Sequence, residues 1–293
     1  MTKINRSFYL GCAVWAYKDW VGTLFPPGSK SAEFLRLYSR RLTTVEGNTT
    51  FYAVPKPEVV RRWAEETPES FRFCFKLPRE ISHSGHLRRK IDATLAFVDL
   101  LRPLGPRLGP FFLQLPPGFA PDQLGDLAAW LEAWPLGQRI AVEVRHDDWF
   151  LPPHEQALQQ LLETHGAGRV LMDVRPLDLG PLPGAEQDLQ RARDNKPSVP
   201  LHPLHSGGFA FVRFISHPDL PLNGPLLDEW AARTAQWLAE GVETYVFMHC
   251  PLEARSPLVA RDFQQRLERA TSVPALPWNT LDGQDGVQQL SLF

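Results

Sequence analysis

Short runs of β-branched and aromatic residues alternate along the chain with longer stretches whose apolar positions recur every three to four residues. Eight such runs begin near Phe8 (FYLGCAVW), Thr43 (TTVEGN), Phe71 (FRFCFKL), Pro110 (PFFLQL), Arg139 (RIAVEVR), Arg169 (RVLMDV), Gly208 (GFAFVRF) and Glu243 (ETYVFMHC). The helical pattern follows each in turn, over residues 32–42, 57–66, 87–101, 122–134, 153–165, 185–195, 226–240 and 257–270. Pro57 and Pro153 stand where a first helical turn needs no N–H, and Gly166 and Gly241 stand just past helix ends. Repeated βα units imply a parallel sheet, and eight of them close into a single (β/α)8 TIM barrel, since closure removes both sheet edges. An open doubly wound sheet is the alternative; the first strand lacks the GxGxxG turn that would favour it.

In such a barrel the C-terminal ends of the strands build the functional face. Here those ends are polar almost every time. Strand two ends in Glu46 and Asn48, strand three in Lys76, strand four in Gln114, and strand five in Glu143 and Arg145 with His146 next. Strand six ends in Asp173 and Arg175, strand seven in Arg213 and strand eight in His249. Each alone reads equally well as a structural partner, Lys76 pairing with Glu46 and Arg145 with Asp173. Together they suggest one shared polar cavity, because burying many charges is costly unless they pair or meet a ligand. Glu143 and Arg145 lie two apart and so share a face, with Val142 and Val144 turned to the helices. Arg145, Arg213 and Lys76 would form a clamp for phosphate or carboxylate. Glu46, Lys76, Glu143 and Asp173 are the catalytic candidates, the carboxylates as general bases or as hard ligands for a divalent metal.

Composition narrows the partners. With 31 Lys plus Arg against 33 Asp plus Glu in 293 residues, no whole-molecule field favours nucleic acid or a membrane, so an anion must be held by a local cluster. No apolar run approaches spanning length, and the polar start before Phe8 does not read as a signal peptide. Cys12, Cys74 and Cys250 are far apart and form no CxxC pair, which points to the reducing cytoplasm rather than to a disulfide framework or structural zinc.

Two loops add candidates. WAYKDWVGTLFPPG brings Trp15, Tyr17, Trp20 and Phe25 toward the rim, either to stack on a base or sugar ring or to plug the barrel. SHSGHLRRK carries His83 and His86 at HxxH spacing, a weak metal signal, and its RRK run also reads as a solvated helix start. Cys250 beside His249 has no base-orienter pair around it and reads as an inert buried thiol.

The segments GCAVW, VEGNTTFYAVPKPEVVRRW, FRFCFKLP, LQLPP, AVEVRHDDW and VRFISH resemble the YecE-like family of bacterial proteins over residues 8 to 270. Its ExNxxFY and ExRHxxW motifs fall on Glu46, Asn48, Phe51, Tyr52, Glu143, Arg145, His146 and Trp149. The resemblance implies a TIM barrel and no established activity or cofactor. It also marks Trp15, Lys76, His83, Gln114, Asp173 and Arg213 as signature positions.

After residue 270 the chain turns irregular, and 271–293 reads as a flexible tail beyond a barrel spanning 1–270. Its end, Gln289, Leu290, Ser291, Leu292 and Phe293, resembles the linear motif by which bacterial replication and repair proteins dock on the sliding clamp. The alternative is a hook onto the chain's own barrel. The expectation for function is therefore an enzyme or binder of a phosphate-containing ligand, a hydrolase of phosphodiesters or sugar phosphates, with nucleic acid and the clamp as partners. The ligand-contacting set is Trp15, Tyr17, Trp20, Asn48, Tyr52, His83, Gln114, Arg145, His146, Arg213 and His249. A sugar or sugar-phosphate enzyme using Glu46 and Glu143 as paired carboxylates, and a non-catalytic adaptor, are the alternatives.

Overall fold

The computed structural model describes residues 7–182, 184, 186–195 and 199–280. Eight parallel strands, β1 (Phe8–Cys12), β2 (Thr44–Gly47), β3 (Arg72–Phe75), β4 (Phe111–Gln114), β5 (Ile140–Glu143), β6 (Gly168–Asp173), β7 (Phe209–Ile215) and β8 (Glu243–His249), run in the order β3-β2-β1-β8-β7-β6-β5-β4. The two ends of that order meet. Gly109 N–H donates to Phe73 O at 2.9 Å and Leu77 N–H to Phe112 O at 3.0 Å, so β3 and β4 close the sheet into a (β/α)8 barrel.

The helices that follow are α1 (Phe34–Tyr38), α2 (Pro57–Glu66), α3 (Ile91–Leu101), α4 (Leu124–Glu132), α5 (His154–Thr164), α6 (Glu186–Asn195), α7 (Gly224–Ala239) and α8 (Ser256–Ala270). Pro57 opens α2 as expected, Gly166 and Gly241 take φ of 60° and 81°, and Pro153 is the N-cap of α5, one place earlier than its pattern suggests.

Alternation along the strands sorts the core into two compartments. Tyr9, Cys74, Phe112, Ala141, Val170, Phe209, Phe211, Tyr245 and Phe247 fill the lumen, with the Tyr9 and Tyr245 rings stacked at 4.8 Å. Their odd–even neighbours, such as Leu10, Val45, Phe73, Leu113, Val142 and Val246, face the helices in a larger apolar layer. At Gly11 the strands come so close that a Cβ would lie 2.0 Å from the Thr44 carbonyl oxygen, which reserves this position for glycine.

The expected tail starts later than residue 270. Leu276 is 1% exposed, Trp278 N–H donates to Arg41 O at 3.1 Å, and the Arg261 guanidinium lies 5.0 Å from the Trp278 ring centre. Residues 271–280 therefore belong to the barrel body, held by ordinary apolar burial that the turn-rich composition conceals. The pentapeptide from Gln289 to Phe293 lies outside the described residues. Among the described residues no helix is long and apolar enough to cross a membrane.

Candidate functional site

Above the aromatic lumen, the next inward positions of seven strands are Glu46, Lys76, Gln114, Glu143, Met172, Arg213 and His249, one level further along each strand. Six of the seven are polar, and all seven are buried or nearly so. They form one connected network rather than separate pairs.

Arg213 is its centre. Its Nε and Nη2 donate to the two Glu46 carboxylate oxygens at 2.9 and 2.8 Å, a bidentate fork, while Nη1 donates to Glu143 Oε2 at 2.5 Å. The same guanidinium lies over Phe112, 5.6 Å from the ring centre, so the lumen aromatics form its floor. Glu46 also receives Asn48 Nδ2 at 2.7 Å and lies 3.1 Å from His249 Nε2. Glu143 Oε1 accepts from Arg145 Nε and from Gln114 Nε2, both at 2.8 Å. Gln114 then passes the chain on, its Oε1 accepting from Lys76 Nζ at 2.6 Å.

Electrostatics follow from this wiring. Burial pushes both carboxyls up, but Arg213 outweighs it; with His249 it holds Glu46 well below the usual carboxylate range, and with Arg145 it holds Glu143 at about 2. Burial likewise lowers Arg213, and the two carboxylates more than reverse the effect. Both glutamates are therefore ionised and neither is a proton donor near neutral pH.

Lys76 stands apart. It is 8% exposed, sits 3.8 Å from the centre of the Phe51 ring, and finds its hydrogen-bond partner in a neutral amide. Burial and the neighbouring Arg213 lower it to about 8, against the pull of Glu143 and Glu46. Two carboxylates thus face three cations, Arg213, Arg145 and Lys76, before His249 is counted. Arg145 commits Nε to Glu143, while its two terminal nitrogens make no hydrogen bond to another described residue.

The structural pairings expected for single residues are replaced. Glu46 pairs with Arg213 rather than Lys76, and Arg145 with Glu143 rather than Asp173. Asp173 itself does not join the network. It points outward from β6 to accept from Trp230 Nε1 of α7 at 2.7 Å and from Arg175 Nη2 at 2.8 Å; its neighbour Met172 takes the lumen place, 3.9 Å from Arg213. Of the loop aromatics, Trp20 is fully buried, with Nε1 on Glu253 O and its ring near Phe25 and Tyr38, so it packs in the outer apolar layer and cannot stack a ligand. Trp15 packs edge-on against Trp63 and Phe73 in the outer apolar layer, and Tyr17 leans on Trp20. His146 caps the turn Asp147–Phe150 by accepting from Asp148 N–H at 3.2 Å. Tyr52 stands 81% exposed beside Phe51.

His83 does lie near the network. Its ring meets Phe51 edge-on at 5.1 Å, its Nδ1 lies 2.7 Å from Ser82 Oγ, and burial together with Lys76 lowers it to about 4, which keeps the imidazole neutral. Ser82, His83, Gly85 and His86 from the loop after β3, with Pro116, Gly118 and Phe119 from the loop after β4, line an open cleft of about 330 Å³. Among the described residues no three His, Cys, Asp or Glu side chains come together as a metal could require, so the divalent-metal expectation finds no ligand set there. Phe51 and Met172 are the residues to which the pattern assigned no role; only the position of Phe51 within the FY pair marks it.

The comparisons with known proteins agree with this architecture. A family model described as "Protein of unknown function DUF72" matches residues 9–281. The UPF0759 protein YecE of Escherichia coli (strain K12) is 38% identical over 291 residues, covering 97% of this chain and 99% of that protein. The UPF0759 protein YunF of Bacillus subtilis (strain 168) is 27% identical over 213 residues, covering 69% of this chain and 72% of its own. Two solved structures of DUF72 family proteins share the fold. That from Enterococcus faecalis V583 has a TM-score of 0.68 at 18% identity, covering 92% of this chain and 98% of its own; that from Thermotoga maritima MSB8 has a TM-score of 0.64 at 22% identity, covering 89% and 99%. The family match over almost the whole barrel and the identity to YecE along nearly its full length establish that this chain belongs to the DUF72 family.

Proposed function

We propose that the strand-end network binds a small anionic molecule bearing a phosphate or carboxylate, with Lys76 and Arg145 as its contacts. The observation that carries this reading is the surplus of positive charge: both glutamates are already neutralised by arginine, while Lys76 is a buried cation on a neutral amide. An incoming anion would supply the missing counter-charge. In this reading Arg213 is a strut that holds Glu46 and Glu143, not a ligand contact. The same wiring counts against a glycosidase-type carboxylate pair, which needs one carboxyl raised enough to donate a proton.

Thermal denaturation in the presence of inorganic phosphate, sugar phosphates, nucleotides and short single-stranded DNA checks this. A fitting anion at a hundred times its Kd stabilises the fold by about 2.7 kcal/mol, whereas uncharged analogues leave it unmoved. No shift with any anion contradicts the reading. A response confined to DNA would favour a phosphodiester substrate over a free small molecule.

Recruitment to the sliding clamp is a separate part of the proposal, supported by the sequence of the last five residues alone. Removing Gln289, Leu290, Ser291, Leu292 and Phe293 should abolish capture by purified clamp and leave the melting temperature unchanged. Equal capture by the shortened chain would discard the idea. Work in the cytoplasm fits the three buried free thiols, Cys12, Cys74 and Cys250.

A further inference from the structure

Lys76 differs from the other strand-end cations in what it lacks. Arg213 and Arg145 are tied to carboxylates, whereas no carboxylate lies within ion-pair distance of Lys76 Nζ among the described residues. Its stem and head are nonetheless fixed, by the Phe51 ring on one side and the Gln114 amide oxygen on another. A held, partly desolvated amine is suited to covalent chemistry as well as to charge pairing.

We infer that Lys76 captures a carbonyl compound, an aldehyde or ketone carrying a phosphate or carboxylate, as an iminium on Nζ. The inference rests on the anion reading above, which supplies the group that docks on Arg145. The step is a condensation. Nζ releases a proton to solvent, its lone pair forms a C–N bond to the carbonyl carbon, and the carbonyl electrons move to oxygen. The carbinolamine then takes up a proton, the C–O bond breaks, and water leaves. An ammonium plus a carbonyl thus become an iminium plus water, with no oxidant or reductant required.

The surroundings favour this lysine over other nucleophiles. Burial raises the thiols of Cys12, Cys74 and Cys250, the last to about 11, and so keeps them protonated. The value of about 8 for Lys76 gives it a far larger neutral fraction at mildly alkaline pH than an ordinary lysine has. Glu143 lies one amide away, across Gln114, to stabilise the positive iminium. Neutral His83 meets the edge of the same Phe51 ring that Lys76 lies over, and it lines the cleft between the loops after β3 and β4.

The test is reductive trapping on the full-length protein, with pyridoxal 5′-phosphate as the probe, borohydride as the trap and peptide mass mapping as the readout. Labelling at Lys76 should exceed that at the exposed lysines by roughly tenfold or more. It should fall when pyridoxal without phosphate is used or when excess inorganic phosphate competes, and vanish in Lys76→Arg, which keeps the charge. Phosphate should still raise the melting temperature of Lys76→Arg. If phosphate stabilises the wild-type protein but Lys76 remains unlabelled while surface lysines react, the carbonyl inference is overturned and the anion reading stands. If phosphate neither stabilises nor competes and Lys76 is unlabelled, both are overturned.

Discussion

Replacing Arg213 with methionine should destabilise the protein by about 3–5 kcal/mol, because it strands two buried carboxylates without their shared counter-ion. For a barrel of this size the melting temperature should drop on the order of 10 °C. Glu46 and Glu143 are 0% and 2% exposed, so water cannot take over the role of the guanidinium. Their remaining donors, Asn48, Gln114, Arg145 and the nearby His249, would not replace a fork that now makes three bonds at once. The acid limb of the stability curve offers a second readout. Glu143 titrates at about 2 in the folded chain and Glu46 lies well below the usual range, both under the unfolded carboxylate value near 4.5. The folded state therefore binds fewer protons in that interval. The stabilisation is complete above the unfolded value and is lost as pH falls toward about 2. Arg213→Met should flatten this limb. Urea titration from about pH 2 to neutral pH measures both effects, and a wild-type-like curve for the single variant would contradict the wiring described.

Lys76→Met should act in the opposite sense on stability and remove function. Burial lowers the Lys76 ammonium to about 8 from its ordinary 10.5, so between those values the unfolded chain binds more protons than the folded one. Wild-type stability attributable to this group must then rise with pH across that interval, and below it the charged form weighs against folding. Methionine removes the charge while keeping a flexible apolar stem over Phe51, and the variant should be about 1–2 kcal/mol more stable near neutral pH. It should also lose the alkaline rise. Anion affinity should fall roughly 10- to 100-fold, the loss of one charge-assisted contact. Stability gained and binding lost in one substitution is the signature of a residue kept for its ligand. Calorimetric titration with whichever anion raises the melting temperature, set beside denaturation at neutral and alkaline pH, reads both halves. A destabilised variant that binds normally would make Lys76 a structural residue.

The fold was largely legible in the hydrophobic pattern because a parallel barrel writes each strand as a short apolar run and each helix as a periodic one. All eight strands begin within a residue or two of where the runs do. The site was legible at most strand ends for the same reason, since a period of two places Glu46, Lys76, Gln114, Glu143, Arg213 and His249 on the lumen side together. Where two adjacent residues end a strand, polarity misleads. At Met172 and Asp173 the charged residue looked inward-facing, yet strand parity assigns the lumen to methionine, and Asp173 is satisfied by Trp230 and Arg175.

Loop positions are harder still, because no periodicity constrains them. Trp20 and Trp15 carry the composition of a stacking platform yet pack in the outer apolar layer, and only contacts to Tyr38, Trp63 and Phe73 decide this. Which carboxylate takes which cation was equally hidden. Residues 46 and 213 lie on strands far apart in sequence, and only barrel closure brings them within 2.8 Å. Residues 271–280 misled in the other direction, since a few apolar side chains, Leu276 and Trp278 among them, bind a segment whose overall composition is that of a free leader.

The most direct test of the charge surplus is a crystal of the wild-type protein soaked in inorganic phosphate or selenate. The account predicts an anion within hydrogen-bonding distance of both Lys76 Nζ and the terminal nitrogens of Arg145, with the Arg213 fork to Glu46 unbroken. Anions bound only elsewhere on the surface, with none at Lys76 and Arg145, would contradict it.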